Sequence, residues 1–463
     1  MASLARRIFR EYDIRGIAGV DLTVDVARRV GAAYAAYLTG RGVERRPIAV
    51  GRDNRPSGEE LQPALIDGLR AGGLDVIDLG VVPTPAVYWS AHNLPVAGAI
   101  QVTGSHNPKE YNGFKLGLGK GSIWGPEIQR LYEIAAGDLP AAPRRGALTT
   151  QDVIPAYLDD IVARVGRLSR PLRVVLDCGN GAGSGPGPRL LERLGCELHC
   201  LYCESDGTFP NHHPDPTVPE NLRDLVAEVA ERRADVGIAF DGDADRIGVI
   251  AENGEIVWGD QLLILYARDV LRRTGAGQPI IFDVKCSQAL PDAIAKAGGR
   301  PLMWRTGHSL IEEKMHETHA PIAGEMSGHM FFAEGWYGFD DALLAAARLL
   351  RIVADEGRGV AAQLADVPRF VATPEIRVDC PDETKFEIVR RAVAHFKRGR
   401  EVIDVDGARV LFGDGWGLIR ASNTQPVLVL RFEARSEARL REIEGEFTEW
   451  LRAQGVEASA AAH

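Results

Sequence analysis

The sequence lacks long apolar runs and any excess of positive charge. No stretch approaches the roughly 18 apolar residues of a membrane-spanning helix, and the N-terminus has no apolar segment typical of a signal peptide. The 64 acidic residues outnumber the 54 basic ones, which gives a formal net charge of −10. Nucleic acids and anionic membranes bind concentrated basic surfaces. We therefore expect no nucleic-acid or membrane partner and a cytoplasmic location.

Cysteine is also scarce. The 463 residues include six cysteines, with a single CxxC pair at Cys200 and Cys203, which is too few for a disulfide scaffold. Cys196, Cys200 and Cys203 lie close together, but their irregular spacing does not match structural zinc, and ELHCLYC is typical of a strand with mostly buried thiols. With 45% hydrophobic and 25% charged residues, the composition indicates a folded protein of about three domains.

What the sequence does contain is a pattern repeated three times: an apolar strand, a loop, a helix closed by glycine, and a second apolar strand. The copies begin at PIAVGRDNRPSG (47–58), LRVVLDCGNGAG (172–183) and PIIFDVKC (279–286), and their helices end at Gly73, Gly195 and Gly299. Spacings of three and four between apolar residues support the helices. The repeat predicts three related α/β domains with mixed or parallel sheets.

The C-terminal part of the chain has a different pattern. Strands TPEIRVDC, GARVLFG, WGLIRAS and VLVLRFEA alternate with helices, and the last helix carries Leu440, Ile443, Phe447 and Trp450 on one face. This predicts a separate, smaller α+β domain.

The first motif whose residues suit catalysis or ligand binding is Thr103-Gly104-Ser105-His106-Asn107-Pro108. It comes directly after the apolar segment VAGAIQV. A serine on a glycine-bearing turn can face a ligand while neighbouring N–H groups bind anions. An ordinary turn, with Ser105 capping a backbone group, is the alternative.

The second motif places Asp241, Asp243 and Asp245 between two buried strands, with Arg246 after them. Three carboxylates this close repel one another unless a cation neutralises them. An EF-hand is excluded because Arg246 stands where its loop needs glycine and strands flank the segment. Mg²⁺ is favoured because it binds few carboxylates and leaves room for a phosphate oxygen. A solvated acidic turn is the alternative.

The third motif, GEMSGH, spans residues 324–329 and carries Glu325, Ser327 and His329. Its donors and acceptors on one glycine-bounded loop suit adjacent sugar hydroxyls, although such a segment alone is more often an ordinary turn.

The fourth motif, RASNTQP, spans residues 420–426 and carries Arg420, Ser422, Asn423 and Thr424. A guanidinium, two hydroxyls and an amide suit the binding of a phosphate. In isolation this loop would more often be structural.

Taken together and in this order, the four motifs resemble the signature loops of the α-D-phosphohexomutase superfamily, in particular its bacterial phosphomannomutase/phosphoglucomutase branch. Further segments resemble that branch: FREYDIRGI (9–17), VVPTP (81–85), YNGFK (111–115), FPNHHPDP (209–216), FDVKC (282–286) and RTGHSLI (305–311). The resemblance implies three related α/β domains with mixed sheets and a smaller C-terminal α+β domain around a central cleft. The expected domains are 1–150, 151–254, 255–366 and 367–463.

The resemblance also implies an activity. It is reversible phosphoryl transfer between O1 and O6 of glucose and mannose phosphates, through phosphorylated Ser105 and a hexose 1,6-bisphosphate intermediate, with glucose 1,6-bisphosphate as activator. Mg²⁺ would be held by the phosphate of Ser105 with Asp241, Asp243 and Asp245. The substrates would be small sugar phosphates and the protein a monomer or weak dimer. One departure is Ala244, where the family usually has glycine, and this departure concerns the conformation of the metal loop.

Residue roles follow from the same resemblance. Glu325 and Ser327 would bind O3 and O4 of the sugar and would make no contact with O2, at which glucose and mannose differ. The distal phosphate would be bound by Arg420, Ser422, Asn423 and Thr424. Arg246 would hold the transferring phosphoryl group, and Lys115 and His329 are candidates for handling the hydroxyl proton. The remaining expected cleft residues are Tyr12, Arg15, Lys285 and His308.

Two other functional classes fit the same motifs. A phosphatase would use Ser105 and the metal but pass the phosphoryl group to water. A catalytically silent sugar-phosphate binder would keep only the binding loops. The phosphate loop far from Ser105 favours the mutase, because a hydrolase does not need to retain a bisphosphate.

Overall fold

The computed structural model describes residues 4–139, 142–423 and 425–457. Over those residues the strands form four sheets, built from strands within residues 14–150, 173–257, 279–332 and 371–434. We call these the first to fourth units. In the same residues, no helix combines the length and hydropathy needed to cross a membrane. The predicted fold class, three mixed-sheet α/β units followed by an α+β unit, is confirmed.

The first unit contains strands β1 (Ile14–Ile17), β2 (Ile48–Arg52), β3 (Val76–Val81), β4 (Gly98–Val102), β5 (Tyr111–Leu118), β6 (Gly121–Ser122) and β7 (Leu148–Thr150), and helices α1 (Val24–Gly40), α2 (Gly58–Ala71), α3 (Thr84–Asn93) and α4 (Pro126–Ala136). Its sheet order is β1-β5-β4-β2-β3-β7, with β6 paired to β5. The predicted first repeat corresponds to β2, α2 and β3.

The second unit contains α5 (Ile154–Val165), β8 (Arg173–Asp177), α6 (Pro186–Leu194), β9 (Glu197–Leu201), α7 (Arg223–Arg232), β10 (Val236–Phe240), β11 (Ile247–Ala251) and β12 (Ile256–Val257), in the sheet order β12-β11-β10-β8-β9. Helix α6 ends at Gly195, whose φ of 95° is readily adopted only by glycine. This sheet extends past the expected boundary at residue 254, because a turn at Gly254 returns β12 along β11.

The third unit contains α8 (Gly259–Thr274), β13 (Pro279–Asp283), α9 (Ala289–Lys296), β14 (Arg300–Trp304), α10 (His308–Thr318), β15 (Ile322–Gly324), β16 (Met330–Phe332), α11 (Ala342–Glu356) and α12 (Val360–Gln363), in the sheet order β14-β13-β15-β16. Most residues of α11 are buried, because this helix packs between the second and third units against α5, α6 and α8. A helix that is apolar on all sides belongs in a core.

The fourth unit contains β17 (Val371–Ala372), β18 (Ile376–Asp379), α13 (Asp382–Phe396), β19 (Val402–Ile403), β20 (Ala408–Leu411), β21 (Gly415–Ala421), β22 (Val427–Ala434) and α14 (Glu437–Ala453). Its antiparallel sheet has the order β17-β22-β21-β20-β19, with β18 also paired to β22. Leu440, Ile443 and Phe447 of α14 are buried in a core of its own. Val284 of the third unit packs against Trp416 and Leu418 of this sheet.

The three α/β units repeat one strand arrangement that positions the signature loops. In each unit the first core strand (β2, β8 or β13) lies between two parallel neighbours, and the fourth (β5, β11 or β16) runs antiparallel to the third (β4, β10 or β15). The third and fourth strands are joined by the loops 103–110, 241–246 and 325–329, respectively. Ligands of α/β sheets bind at the carboxyl ends of the parallel strands, which is where these loops lie.

Candidate active site

The signature loops meet at one central cleft of about 1310 Å³. Its lining includes Ser105, Arg246, Glu325, Ser327, His329, Arg420, Ser422, Asn423, Tyr12, Arg15, Lys115, Lys285 and His308. The three aspartates lie directly beneath, at 0% exposure. The structure thus brings together every expected site residue that it describes. Thr424 lies outside the described residues.

Ser105 is held in a strained turn beside the carboxylates. Its φ is 49°, a left-handed conformation that costs a non-glycine residue about 1 kcal/mol. Its Oγ lies 3.2 Å from Oδ2 of Asp241 and 3.1 Å from Nδ1 of His106. Thr103 accepts a hydrogen bond from the Ser105 backbone N–H at 2.8 Å. Strain that the surroundings maintain is typical of functional sites.

A buried ion pair holds this turn in place. Arg55 is 0% exposed, and its guanidinium donates hydrogen bonds to the carbonyl oxygens of Ser105 (2.5 Å), Asn107 (2.7 Å) and Pro108 (2.7 Å). Asp53 accepts from Arg55 Nε at 3.1 Å and from Thr103 Oγ1 at 2.7 Å. A Cβ at Gly104 would lie 2.6 Å from the Arg55 guanidinium, which is why this position needs glycine.

The three aspartates of the second motif converge on one point. One carboxylate oxygen from each lies within 4.8 Å of the others. Asp241 accepts the backbone N–H groups of Asp245 (3.0 Å) and Arg246 (3.1 Å), which closes the loop around it. Burial, followed by repulsion from Asp245 and Asp243, raises the pKa of Asp241 well above its usual value.

The donor set fits a hard divalent cation. Oδ1 of Asp243 is buried without a hydrogen-bond partner, and oxygen ligands of this kind are what Mg²⁺ prefers. Thr84 Oγ1 donates to Asp243 Oδ2 at 2.5 Å, and Lys115 Nζ lies 3.1 Å from that oxygen and in contact with Asp245. The family pattern and this acidic cluster together indicate a metal site.

Ala244 adopts the conformation that glycine would adopt in the metal loop. Its φ is 58° and its side chain is fully buried. The left-handed backbone costs alanine about 1 kcal/mol. The loop therefore keeps its carboxylates together despite this departure, at the expense of local strain.

His329 connects the metal loop to the sugar loop. Its Nδ1 lies 2.7 Å from Glu325 Oε2, and its Nε2 lies 3.2 Å from Asp245 Oδ1. Burial and Arg246, whose Nε lies 3.1 Å from Nε2, lower the pKa of His329, but the two carboxylates outweigh them and the pKa rises to about 10. Asp245 and Glu325 thus favour the protonated ring. A backbone bridge between Arg246 and His329 joins the two loops.

Both carboxylate oxygens of Glu325 make hydrogen bonds within the protein. Its Oε1 accepts the backbone N–H of Gly307 at 2.6 Å, and Ser327 Oγ lies 3.5 Å from its Oε2. Burial acts to raise the pKa of Glu325, but the hydrogen bond and charge of His329 outweigh it, so that the pKa falls to about 2. These contacts favour the carboxylate form of the side chain, which faces the cleft.

Tyr12 links three units across the cleft. Its hydroxyl donates to the Thr306 carbonyl at 2.7 Å and accepts from Asn423 Nδ2 at 2.6 Å. Gly307 accommodates the ring, because a Cβ there would lie 2.4 Å from Tyr12 Cζ. The phosphate loop of the fourth unit is thereby connected to the first and third units.

Asp406 and Lys385 hold the loop of the fourth motif, which carries Arg420 and Ser422 and which we call the phosphate loop. Asp406 accepts from Arg420 Nε at 2.9 Å. Burial lowers the pKa of Arg420, but Asp406 and Tyr12 more than offset it, and the pKa is raised. Lys385, 2% exposed, donates to the carbonyls of Ser422 (2.5 Å) and Gln425 (2.9 Å). The guanidinium is thus permanently charged and rigidly presented.

Arg15, Lys285 and His308 also line the cleft. Arg15 donates to Asn107 Oδ1 at 2.8 Å, and its buried Nε has no hydrogen-bond partner. Lys285 lies 3.2 Å from Glu375 Oε2, across the boundary between the third and fourth units. The ring of His308 lies 6.2 Å from that of His329, and burial, followed by the charges of Lys115 and His329, lowers its pKa to about 3.

Sequence reasoning missed three buried cations that hold functional loops. Arg55 holds the Ser105 turn and Lys385 holds the phosphate loop. Arg409, 0% exposed, donates to the carbonyls of Val284 and Cys286, each at 2.7 Å, on either side of Lys285. The signal for Arg409 was its place at an apolar position of the predicted strand GARVLFG.

Four family models match the chain in order. They are described as phosphoglucomutase/phosphomannomutase alpha/beta/alpha domains I, II and III and C-terminal domain. They match residues 6–139, 155–254, 258–370 and 375–449.

Individual proteins match over almost their full length. The phosphomannomutase/phosphoglucomutase of Pseudomonas putida is 47% identical over 456 residues, which cover 98% of this chain and 97% of that protein. The crystal structure of a phosphoglucomutase/phosphomannomutase family protein from Burkholderia thailandensis is 45% identical, with a TM-score of 0.90 over 99% of both chains. Aspergillus fumigatus N-acetylphosphoglucosamine mutase, in complex with GlcNAc-6P and magnesium, shares only the fold: 15% identity, with a TM-score of 0.64 over 96% of both chains.

Proposed function

The chain belongs to the phosphoglucomutase/phosphomannomutase family, and we propose that it interconverts hexose 1-phosphates and hexose 6-phosphates of glucose and mannose. The phosphoryl group passes through phosphorylated Ser105, with the hexose 1,6-bisphosphate as the intermediate and glucose 1,6-bisphosphate as the activator. One observation carries this proposal: Ser105 Oγ lies 3.2 Å from a buried carboxylate, in a cleft that also contains the Arg420 phosphate loop.

Asp241, Asp243 and Asp245 would hold the metal together with the phosphate of Ser105, and Mg²⁺ is the ion that their oxygen atoms favour. When bound, Mg²⁺ neutralises charge on the transferring phosphoryl group. The unpartnered Oδ1 of Asp243 and the raised pKa of Asp241 support this assignment, because both indicate carboxylates that need a cation.

The chain's own cations align the phosphoryl group. Arg15 and Arg246 line the cleft around Ser105, and each presents a charge that the anionic oxygens can meet. Phosphoryl transfer depends mainly on alignment and charge stabilisation. The rigid Ser105 turn, held by Arg55, contributes to the alignment because it limits the positions that Oγ can occupy.

The loops of the third and fourth units would bind the sugar and the phosphate that is not being transferred. Glu325 and Ser327 would bind O3 and O4, which glucose and mannose share. Arg420, with Ser422, Asn423 and Thr424, would bind the phosphate that is not being transferred. Tyr12, Lys285 and His308 complete this surface. Because the phosphate loop binds by charge and donor geometry, it can hold either end of the bisphosphate.

The hydroxyl proton is assigned to Lys115 or His329. Burial lowers the pKa of Lys115, but Asp243 and Asp245 raise it well above its usual value, and the carboxylates beside His329 raise the pKa of that ring to about 10. Both groups are therefore positioned as proton donors. Each becomes an acceptor only after its proton has passed to an oxygen of the ligand or to its carboxylate neighbours.

We further propose the sequence-derived domain boundaries, at 1–150, 151–254, 255–366 and 367–463.

We also propose a cytoplasmic location, small sugar phosphates as the partners, and a monomer or weak dimer. The negative net charge and the cleft lining support the choice of small anionic partners that meet a local cluster of cations.

The test follows glucose 1-phosphate and mannose 1-phosphate by phosphorus NMR in the presence of Mg²⁺ and catalytic glucose 1,6-bisphosphate. The mutase converts each substrate to its 6-phosphate with little inorganic phosphate released. Inorganic phosphate as the main product would instead make the chain a phosphatase. Saturable binding without either product would make it a sugar-phosphate binder.

A further inference from the structure

A group of cysteines lies outside the cleft, where the second unit's β8 and β9 end. Cys203 Sγ lies 3.3 Å from Cys178 Sγ. Cys178 is fully buried, Cys203 is half-buried and Cys200 is exposed. None of these thiols belongs to the phosphoryl-transfer site. We propose that Cys178 and Cys203 form an oxidation site, at which hydrogen peroxide converts the two thiols into one disulfide.

The strand pairing brings the two cysteines close together, although they are not directly opposite each other. Asp177 of β8 pairs with Leu201 of β9, and the pairing continues beyond both strands through hydrogen bonds from Cys178 N to the Leu201 carbonyl (3.1 Å) and from Asn180 N to the Tyr202 carbonyl (2.8 Å). A disulfide has an S–S length of about 2 Å, so the sulfurs need to approach by about 1 Å.

The environments of the thiols differ in a way that orders the steps. Hydrogen bonding from the Cys178 thiol, partly offset by burial, lowers the pKa of Cys203. Burial raises the pKa of Cys178 well above its usual value, and burial raises that of Cys200 to about 12. The thiolate is the nucleophile in thiol oxidation. Cys203 is therefore the thiol that peroxide oxidises first, since it is also partly accessible.

The chemistry balances in two steps. The Cys203 thiolate attacks one oxygen of hydrogen peroxide, the O–O bond breaks, and the departing hydroxide takes a proton to leave as water, which produces a sulfenic acid. The Cys178 thiol then attacks the Cys203 sulfur. An S–S bond forms, the S–O bond breaks, and the hydroxyl leaves as water with the Cys178 proton. Two thiols are oxidised and one peroxide is reduced to two waters. A cytoplasmic thiol reductant would reverse the change.

The test exposes the reduced full-length protein briefly to hydrogen peroxide and then alkylates the remaining thiols. The protein is digested without reductant, and linked peptides are identified by mass spectrometry. We expect a Cys178–Cys203 linked peptide that dithiothreitol removes. Buried Cys286 and Cys380 should stay alkylatable after unfolding, which controls for general oxidation.

Two variants sharpen the assignment. Cys203→Ser replaces a half-buried thiol and should abolish the linked peptide, whereas Cys200→Ser removes the exposed neighbouring thiol and should leave it. Dimedone, which traps sulfenic acids, should label Cys203 of the wild-type protein at early times. A Cys200–Cys203 link would overturn the proposal. So would conversion of Cys203 to a sulfinic acid without a link, or a Cys178 that remains a thiol throughout.

Discussion

The Arg55 guanidinium donates a hydrogen bond to the Ser105 carbonyl at 2.5 Å, so the side chain that we propose as the phosphoryl carrier is positioned by a buried cation from the repeat segment at 47–58. The same guanidinium binds the carbonyls of Asn107 and Pro108. A strained turn at Ser105 is therefore maintained by contacts that no ligand provides. The pairing also explains why Gly104 must lack a side chain.

We predict that Arg55→Lys lowers kcat by about tenfold or more, with little change in KM, because a point charge cannot bind several carbonyls at once and misplacement of the nucleophile is costly. Steady-state kinetics well below the melting temperature measure the effect. Arg46→Lys, an exposed position in the same unit, is the matched control and should behave as wild type. A rise in KM of about tenfold, with an unchanged kcat, would show that Arg55 does not position the nucleophile.

For Asp243→Asn we expect the Mg²⁺ concentration needed for half-maximal turnover to rise by about tenfold or more, because a hard cation selects charged oxygen ligands. Titration calorimetry with Mg²⁺ should give the same shift in the absence of substrate. Asp292→Asn, at an exposed position on α9, controls for loss of one charge. Unchanged Mg²⁺ affinity in the Asp243 variant would exclude the triad as the metal site.

Arg420→Ala removes the guanidinium of the phosphate loop. We expect KM to rise for glucose 1-phosphate and mannose 1-phosphate alike, through a loss of about 1.5–3 kcal/mol of phosphate binding. Turnover should also depend more strongly on added glucose 1,6-bisphosphate, because the intermediate escapes during reorientation. Arg441→Ala, at an exposed position on α14, is the control. If neither KM nor the bisphosphate requirement changes, the loop does not bind the distal phosphate.

Asp341, the N-cap of α11, gives a stability prediction that depends on pH. Burial raises its folded pKa to about 7, above the unfolded value near 3.8. The folded state therefore holds the proton more tightly, and this group's contribution to stability falls as pH rises from about 4 to 7. Asp341→Asn keeps an oxygen that can accept from Leu344 N but cannot ionise.

The free energy of unfolding of the Asn variant should accordingly rise relative to that of the wild type as pH rises. We expect a difference of about 2–4 kcal/mol at pH 8 and little difference near pH 4. Melting temperatures measured across this range test the trend. A gap between variant and wild type that does not change with pH would contradict a neutral, buried Asp341.

The sequence predicted the parts of the site that local patterns encode. The carboxylates at 241, 243 and 245 stand out because a run of acids between buried strands has few structural explanations, whereas the glycine-bearing turn at Ser105 gains its functional interpretation from the other three motifs. The repeated strand and helix pattern predicted the three mixed sheets, since periodicity reflects burial directly.

Contacts between distant segments were not predictable in this way. Arg55, Lys385 and Arg409 bind carbonyls far away in the sequence, and a lone cation in a strand or helix gives no indication of its partner. The link from Tyr12 to Asn423 spans the first and fourth units and depends on the tertiary arrangement alone. The protonation of His329 likewise depends on Asp245, which lies in another unit.

The most direct test of the account follows the phosphoryl group itself. Wild-type protein is incubated with glucose 1,6-bisphosphate carrying a radioactive phosphoryl group, isolated, digested, and then chased with unlabelled glucose 1-phosphate. We predict that the label is found on Ser105 and passes to sugar phosphates during the chase at the rate of turnover. Ser105→Ala should fold normally, take up no label and lose nearly all mutase activity. Label on another residue, transfer of the label to water, or substantial turnover by Ser105→Ala would contradict the central claim.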